Sequence, residues 1–224
     1  MKIVSLSGLD GSGKSTQIEL LKSYLQNQGR KVFYFHAIEF GLANKISAFF
    51  REHCLICKLF KKCSMPKKEK SMTKAGKIGI ILRKIFLGID LRRFKKLYKK
   101  LEKEGFDYII SDRYFYDSVI NIEYLNNIFL PLEKGELERD FKDYKSPPTP
   151  LLQRGILTPD IAIHLETSPE NIMRREQKPD QGLEYLQAKK ILYDAMAPLW
   201  NLRAIDGNRN KEEIFEEIRK LVWI

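Results

Sequence analysis

Cysteine, tryptophan and long apolar runs are all scarce in this chain. Three cysteines in 224 residues are too few for a disulfide scaffold, and with no export-like start they point to a reducing cytoplasmic compartment. The opening MKIVSLSG lacks an extended apolar segment followed by a small-residue cleavage site. The most apolar stretch, Ile78 to Ile89, is broken by Arg83 and Lys84 and falls short of the roughly 20 residues that span a bilayer. Acidic residues are also in deficit, with 29 Asp and Glu against 40 Lys and Arg. The surplus is local. Residues 58 to 103 hold 17 basic residues against 3 acidic ones, a surplus of 14 in a chain whose net charge is +11. Such a sector attracts nucleic acid, an anionic membrane surface or phosphorylated substrates, or is simply a solvated helix face. It carries no recognised nucleic-acid motif, so a specific nucleic-acid partner is not expected.

What is present is ordinary for a globular protein, at 43% hydrophobic and 31% charged, which excludes wholesale disorder. The length suits one α/β domain over residues 1–224. Short β-branched strands are predicted at Lys2 to Ser7, Lys31 to Phe35, Tyr108 to Ser111, Ile161 to Leu165 and Leu202 to Ile205, with helical periodicity between them. Ser15 to Gln28 reads as an amphipathic helix with Ile18, Leu21 and Leu25 on one face. Asn210 and Glu213 form a capping-box start for the last helix. Alternating strands and helices imply a parallel sheet.

Two segments exceed this minimal plan. One is a helical and basic insertion at about 37–104, within which Ile78, Ile81, Leu82, Ile85 and Ile89 make one helical face. Gly88 and Asp90 predict a break before Leu91 to Glu104. The other is a Pro-rich loop at about 131–159, where Ser146 to Pro150 sustains neither helix nor central strand; it reads as a spacer or as a lid element. Cys54, Cys57 and Cys63 follow His53 closely, which leaves open a zinc site or ordinary thiols. His164, inside a strand, reads as a core histidine.

The strongest local signal is Gly8, Leu9, Asp10, Gly11, Ser12, Gly13, Lys14, Ser15 and Thr16. It matches GxxxxGK[ST] between a strand and a helix. Glycines let the backbone curl so that successive N–H groups converge on phosphate oxygens, and the helix N-terminus adds its positive end. The pattern predicts a nucleoside triphosphate, ATP with Mg²⁺. Lys14 would bridge the β- and γ-phosphates and the Ser15 hydroxyl would hold the metal. Asp112 and Arg113 end the third strand. In a doubly wound sheet, ligands sit beyond the carboxyl ends of strands, so a parallel neighbour of the first strand brings both beside the phosphate loop. Asp112 would order Mg²⁺ and its waters or position the attacking oxygen, and Arg113 would neutralise an acceptor's phosphate. The expected chemistry is phosphoryl transfer to a small acceptor.

GLDGSGKST followed by DRY at a strand end, with TPDIAIHLETSPENIMRR and AIDGNRNKEEI further on, resembles the thymidylate kinase family of nucleoside monophosphate kinases. That resemblance implies a three-layer P-loop NTPase fold, a parallel five-stranded sheet of order 2-3-1-4-5, and a lid over ATP at about 169–182. It implies that Asp10, Lys14 and Ser15 serve the phosphates and metal, that Asp112 and Arg113 face the acceptor, and that Asp206 to Arg209 approach adenine. The chain departs from the family where His36-Ala37-Ile38-Glu39-Phe40 replaces the usual Arg-Glu-Pro-Gly stretch. No counterpart of the base-holding aromatic and arginine stands out between Lys74 and Leu101, and the expected polar residue falls near Asn121 or Ile122. A helix starting at Ser168 and Pro169 is expected to present Arg174, Arg175 and Lys178 to the transferring phosphoryl group. The leading acceptor is dTMP. A deoxynucleoside or metabolite acceptor, and a nucleotide-gated binding module, remain alternatives, and a homodimer is compatible with the sequence.

Overall fold

A computed structural model describes residues 1–42, 45, 77–128, 157–176 and 178–223. Along the chain run β1 (Lys2–Gly8), α1 (Lys14–Asn27), β2 (Val32–His36), α2 (Ala37–Phe40), α3 (Lys77–Lys103), β3 (Tyr108–Asp112) and α4 (Phe115–Ile128). Then come β4 (Ile161–Glu166), α5 (Pro169–Met173), α6 (Gly182–Met196), a 3₁₀ turn at Pro198–Trp200, β5 (Arg203–Asp206) and α7 (Lys211–Val222). Among the described residues the strands form one sheet in the order β2-β3-β1-β4-β5, and every pairing is parallel. This is the expected three-layer α/β arrangement.

The layers follow from residue alternation. Ile3 and Ile109 face one side of the sheet with Phe35, Phe94, Leu101 and Phe115. Their neighbours Val4 and Ile110 face the other with Ile18, Leu21, Leu25, Ile214 and Ile218 of α1 and α7. A strand covered on both faces reads as a continuous apolar run, as β1 does. Each fully buried aliphatic side chain contributes about 1.5–3 kcal/mol. A third cluster under α6 packs Leu9, Ile120, Ile172 and Leu186 beside the phosphate loop.

Several local expectations need correction. α3 runs unbroken through Gly88 and Asp90. A mid-helix glycine costs only about 1 kcal/mol, and the buried Asp90 carboxylate is satisfied by the Leu42 N–H at 2.9 Å and by Arg93 at 2.5 Å. The inward face of α3 is Ile80, Leu87, Phe94 and Leu101, spaced by seven. Ile78, Ile81, Leu82 and Ile85 instead stay exposed, Ile78 at 76%. At the last helix, Asn210 caps the Glu213 N–H at 2.8 Å, but Glu213 returns to the Asn210 side-chain amide at 2.7 Å rather than to its backbone. His53, Cys54, Cys57, Cys63, the basic residues 58–76 and the Pro-rich segment 131–156 lie outside the described residues.

Candidate active site

β1 delivers its C-terminal end to a turn built from glycines. Gly11 and Gly13 hold φ of 79° and 101°, where side chains with a Cβ are disfavoured. Gly8 answers a second constraint, since a Cβ there would lie 2.6 Å from the Leu165 carbonyl oxygen of β4. The turn opens directly into α1. Lys14, buried, curls back to donate to the carbonyl oxygens of Gly8 at 3.1 Å and Leu9 at 2.5 Å, and to Ser12 Oγ at 3.2 Å. Burial pushes its ammonium down to about 7, with Arg113 adding to the effect and Asp10, Asp117 and Asp112 opposing it.

β3 pairs with β1 and places Asp112 opposite Leu6, so the carboxylate reaches the mouth of the loop. Ser15 Oγ donates to Asp112 Oδ2 at 3.2 Å, and the Tyr34 hydroxyl donates to the same oxygen at 3.4 Å. Arg113 follows in left-handed backbone, φ 62°, a conformation that costs a non-glycine residue about 1–3 kcal/mol and gathers at functional sites. Its N–H donates to the Leu6 carbonyl at 2.9 Å. Its guanidinium pairs with Asp10 and stands 3.6 Å from Asp117. Burial disfavours that charge, but the two carboxylates outweigh it and raise the Arg113 pKa above the ordinary arginine value.

Asp10 and Asp117 are themselves held in place. Burial would raise the Asp10 pKa, yet Arg113, Lys189 and Lys14, with a hydrogen bond from Tyr185, keep it well below the usual carboxylate range. Asp117 accepts from Ser7 Oγ at 2.7 Å, the Tyr114 N–H at 2.9 Å and the Tyr193 hydroxyl at 2.5 Å. Both oxygens of Asp10 are engaged, by Arg113 on one and by Tyr185 and Lys189 on the other. Ser15 and Asp112, hydrogen-bonded to each other, offer side-chain oxygens at the loop mouth.

Together these residues line a cleft of about 370 Å³ formed by Gly11, Gly13, Lys14, Ser15, Thr16, His36, Asp112, Arg113 and Arg175. Arg175 crosses it, donating to the Gly11 carbonyl at 2.6 Å and the Gly207 carbonyl at 3.3 Å. Ser168 caps α5 as expected, its hydroxyl accepting from the Asn171 N–H at 3.3 Å. The helix nevertheless ends at Met173, so Arg174, Arg175 and Lys178 follow it rather than ride on it. Arg174 and Lys178 are exposed and do not line the cleft. The turn after β5 is tied to this region through Asn208, whose side-chain oxygen accepts from the Ser168 N–H at 3.1 Å and the Asn171 amide at 2.8 Å.

Sequence reasoning missed Lys189, Tyr185, Tyr193 and Asp117. The four-residue spacing of Tyr185, Lys189 and Tyr193 stacks those three on one face of α6, but it does not say what that face meets. His36 also reaches the cleft, its Nδ1 accepting from the Glu39 N–H at 3.3 Å. His164 is buried and stacks on Tyr193 at 4.8 Å, and burial lowers its pKa. Among the described residues no group of three or more His, Cys, Asp or Glu side chains gathers to hold a metal. No helix there is long and apolar enough to cross a membrane.

A second, smaller cavity of about 70 Å³ lies between α2, α3 and α4, lined by Ile38, Arg83, Phe86, Asp90, Ser118 and Asn121 among others. The buried Asn121 Oδ1 has no hydrogen-bond partner among the described residues. Burial lowers the Arg83 pKa.

No protein-family model matches the chain. It is 25% identical to the thymidylate kinase of Mesoplasma florum over 244 residues, covering 98% of this chain and 93% of that protein. It is 26% identical to the thymidylate kinase of Plasmodium falciparum, covering 99% and 89%, and 24% identical to that of Thermosipho africanus, covering 98% and 96%. In fold it is similar to the solved thymidylate kinase of Candida albicans, with a TM-score of 0.62 at 16% identity over 99% of this chain and 90% of the other.

Proposed function

We propose that this chain, a member of the thymidylate kinase family by its full-length likeness, passes the γ-phosphoryl group of ATP to a nucleoside monophosphate, converting dTMP to dTDP. One observation carries the reading. The phosphate loop and the Asp112–Arg113 pair face a single cleft, joined by the 3.2 Å hydrogen bond from Ser15 to Asp112.

In this reading Gly8 to Thr16 cradle the donor's phosphates, and the turn from Asp206 to Arg209 approaches its base. The Ser15 hydroxyl and the Asp112 carboxylate fit Mg²⁺, a hard cation that takes one or two carboxylates and keeps several waters. Held there, it would offset the negative charge of the donor's phosphates. Lys14 exchanges the Gly8 and Leu9 carbonyls for phosphate oxygens. Asp112 positions the attacking oxygen, Arg113 binds the acceptor's phosphate, and Arg175 meets the charge spread over the transferring group. Positioning and charge neutralisation supply the catalysis, and no covalent intermediate on the protein is needed.

The acceptor's base would enter between α2, α3 and α4, where the unpartnered Asn121 oxygen and Arg83 offer an acceptor and a donor. That cavity is small beside the roughly 300–1,000 Å³ of ordinary ligand sites, so entry displaces the Arg83 and Phe86 side chains. The proposed role is nucleotide synthesis, in the cytoplasm. The test is ADP release over a panel of nucleosides, nucleoside monophosphates and small metabolites. dTMP is expected to give the highest kcat/KM. A deoxynucleoside or metabolite that outruns it would replace the acceptor, and silence across the panel would end the kinase reading.

A further inference from the structure

Helix α6 aims three side chains at the phosphate loop from one face. Tyr185 donates to Asp10 Oδ2 at 3.0 Å, Tyr193 donates to Asp117, and between them Lys189 Nζ stands 3.7 Å from Asp10 Oδ2. Lys189 is only 2% exposed, and its ammonium also lies 4.7 Å from the centre of the Tyr185 ring. A buried lysine is expensive unless its charge is used. Lys14, Arg113 and Lys189 here balance Asp10, Asp112 and Asp117.

We propose that Lys189 is a positioning residue for the acceptor side: it shares the Asp10 carboxylate with Arg113, so that Arg113 can turn to the acceptor's phosphate. The inference rests on the reading that Arg113 meets that phosphate. Arg113 is gripped by Asp10 and Asp117 in this structure. Drawing it toward an incoming phosphate weakens its pairing with Asp10, and an unpaired buried carboxylate is strongly disfavoured. Lys189, already beside Asp10, takes over that charge. Without it Arg113 stays committed to Asp10, and acceptor binding weakens while ATP binding does not.

The groups facing Lys189 are Asp10 from the phosphate loop, Arg113 from the end of β3, Asp117 from α4 and Tyr185 from its own helix. Burial lowers the Lys189 pKa to about 8, opposed by Asp10 and Asp117 and reinforced by Arg113.

The experiment compares Lys189→Met and Lys189→Arg with the parent, varying the acceptor at saturating Mg·ATP and ATP at saturating acceptor. Lys189→Met is expected to raise the acceptor KM about tenfold and leave kcat and the ATP KM within about twofold. Lys189→Arg should restore acceptor binding. Thermal melting checks each fold. A parental acceptor KM in Lys189→Met would overturn the proposal, as would a uniform rise of both KM values and loss of kcat with a lowered melting temperature. Arg113→Gly runs alongside. If it leaves acceptor KM unchanged, the acceptor reading itself fails. If it raises KM and Lys189→Met does not, only the role of Lys189 fails. Combined with Arg113→Gly, Lys189→Met should add no further loss.

Discussion

Ser15 Oγ donates to Asp112 Oδ2 across 3.2 Å, a hydrogen bond between the first turn of α1 and the last residue of β3. It forms because β1 and β3 are parallel neighbours, with Leu6 and Asp112 in register. It joins the phosphate loop to the end of β3, which the proposed function reads as the donor and acceptor halves of the cleft, with the two oxygens as the proposed Mg²⁺ ligands.

Asp112→Asn keeps the shape and removes the charge. Turnover at saturating substrates is expected to fall on the order of 100-fold, with a smaller change in ATP KM, because metal and nucleophile placement matter most in the transition state. Steady-state kinetics over a Mg²⁺ titration check this. A parental kcat would remove Asp112 from the chemistry.

Lys14→Met separates function from folding. Turnover should drop on the order of 100-fold or more. The sign for stability runs the other way. The folded-state pKa of Lys14 is depressed to about 7 from 10.5, so the unfolded chain binds more protons between those values. The parent's Lys14 penalty is full below about pH 7 and fades as pH climbs toward 10.5. The ligand-free variant is therefore expected to melt above the parent at pH 7, with the gap narrowing by pH 10. A variant that melts lower at pH 7 would contradict this.

Arg113 occupies left-handed backbone, so glycine is the substitution that removes the guanidinium without adding strain. Arg113→Gly should raise the acceptor KM about tenfold or more and leave ATP KM nearly unchanged. A selective loss of ATP affinity would move Arg113 to the donor side.

The two neighbouring arginines should part company. Arg175→Ala loses hydrogen bonds to Gly11 and Gly207 and is expected to cost on the order of tenfold or more in kcat. Arg174, exposed and outside the cleft, should tolerate alanine within about twofold. Parallel kcat measurements decide it, and equal losses would show that both close over the phosphates.

The phosphate loop and the Asp112–Arg113 pair were legible because each is a local pattern at a strand end. Their meeting followed from strand adjacency alone. Lys189 was not legible. A helical lysine reads as solvated until Asp10 is known to face it, and the Tyr185 contact to that carboxylate spans 175 residues. The continuity of α3 was hidden for a similar reason, since Asp90 is satisfied by Leu42 across 48 residues. Arg174 and Arg175 were indistinguishable because the helix expected to set their phase stops at Met173.

The position of β1 in the sheet has a consequence for biosynthesis. Among the described strands it is made before the others, yet its two partners, β3 and β4, begin at Tyr108 and Ile161. At roughly 5–20 residues per second of translation, Val4 and Leu6 wait on the order of 5–20 s for the first neighbour. Among the described residues nothing earlier in the chain pairs with β1, because β2 joins the sheet only through β3. Loop closure over such separations is slow and leaves strand edges open to aggregation. The apolar β1 strand thus has neither of its described partners until the chain has been made as far as β3.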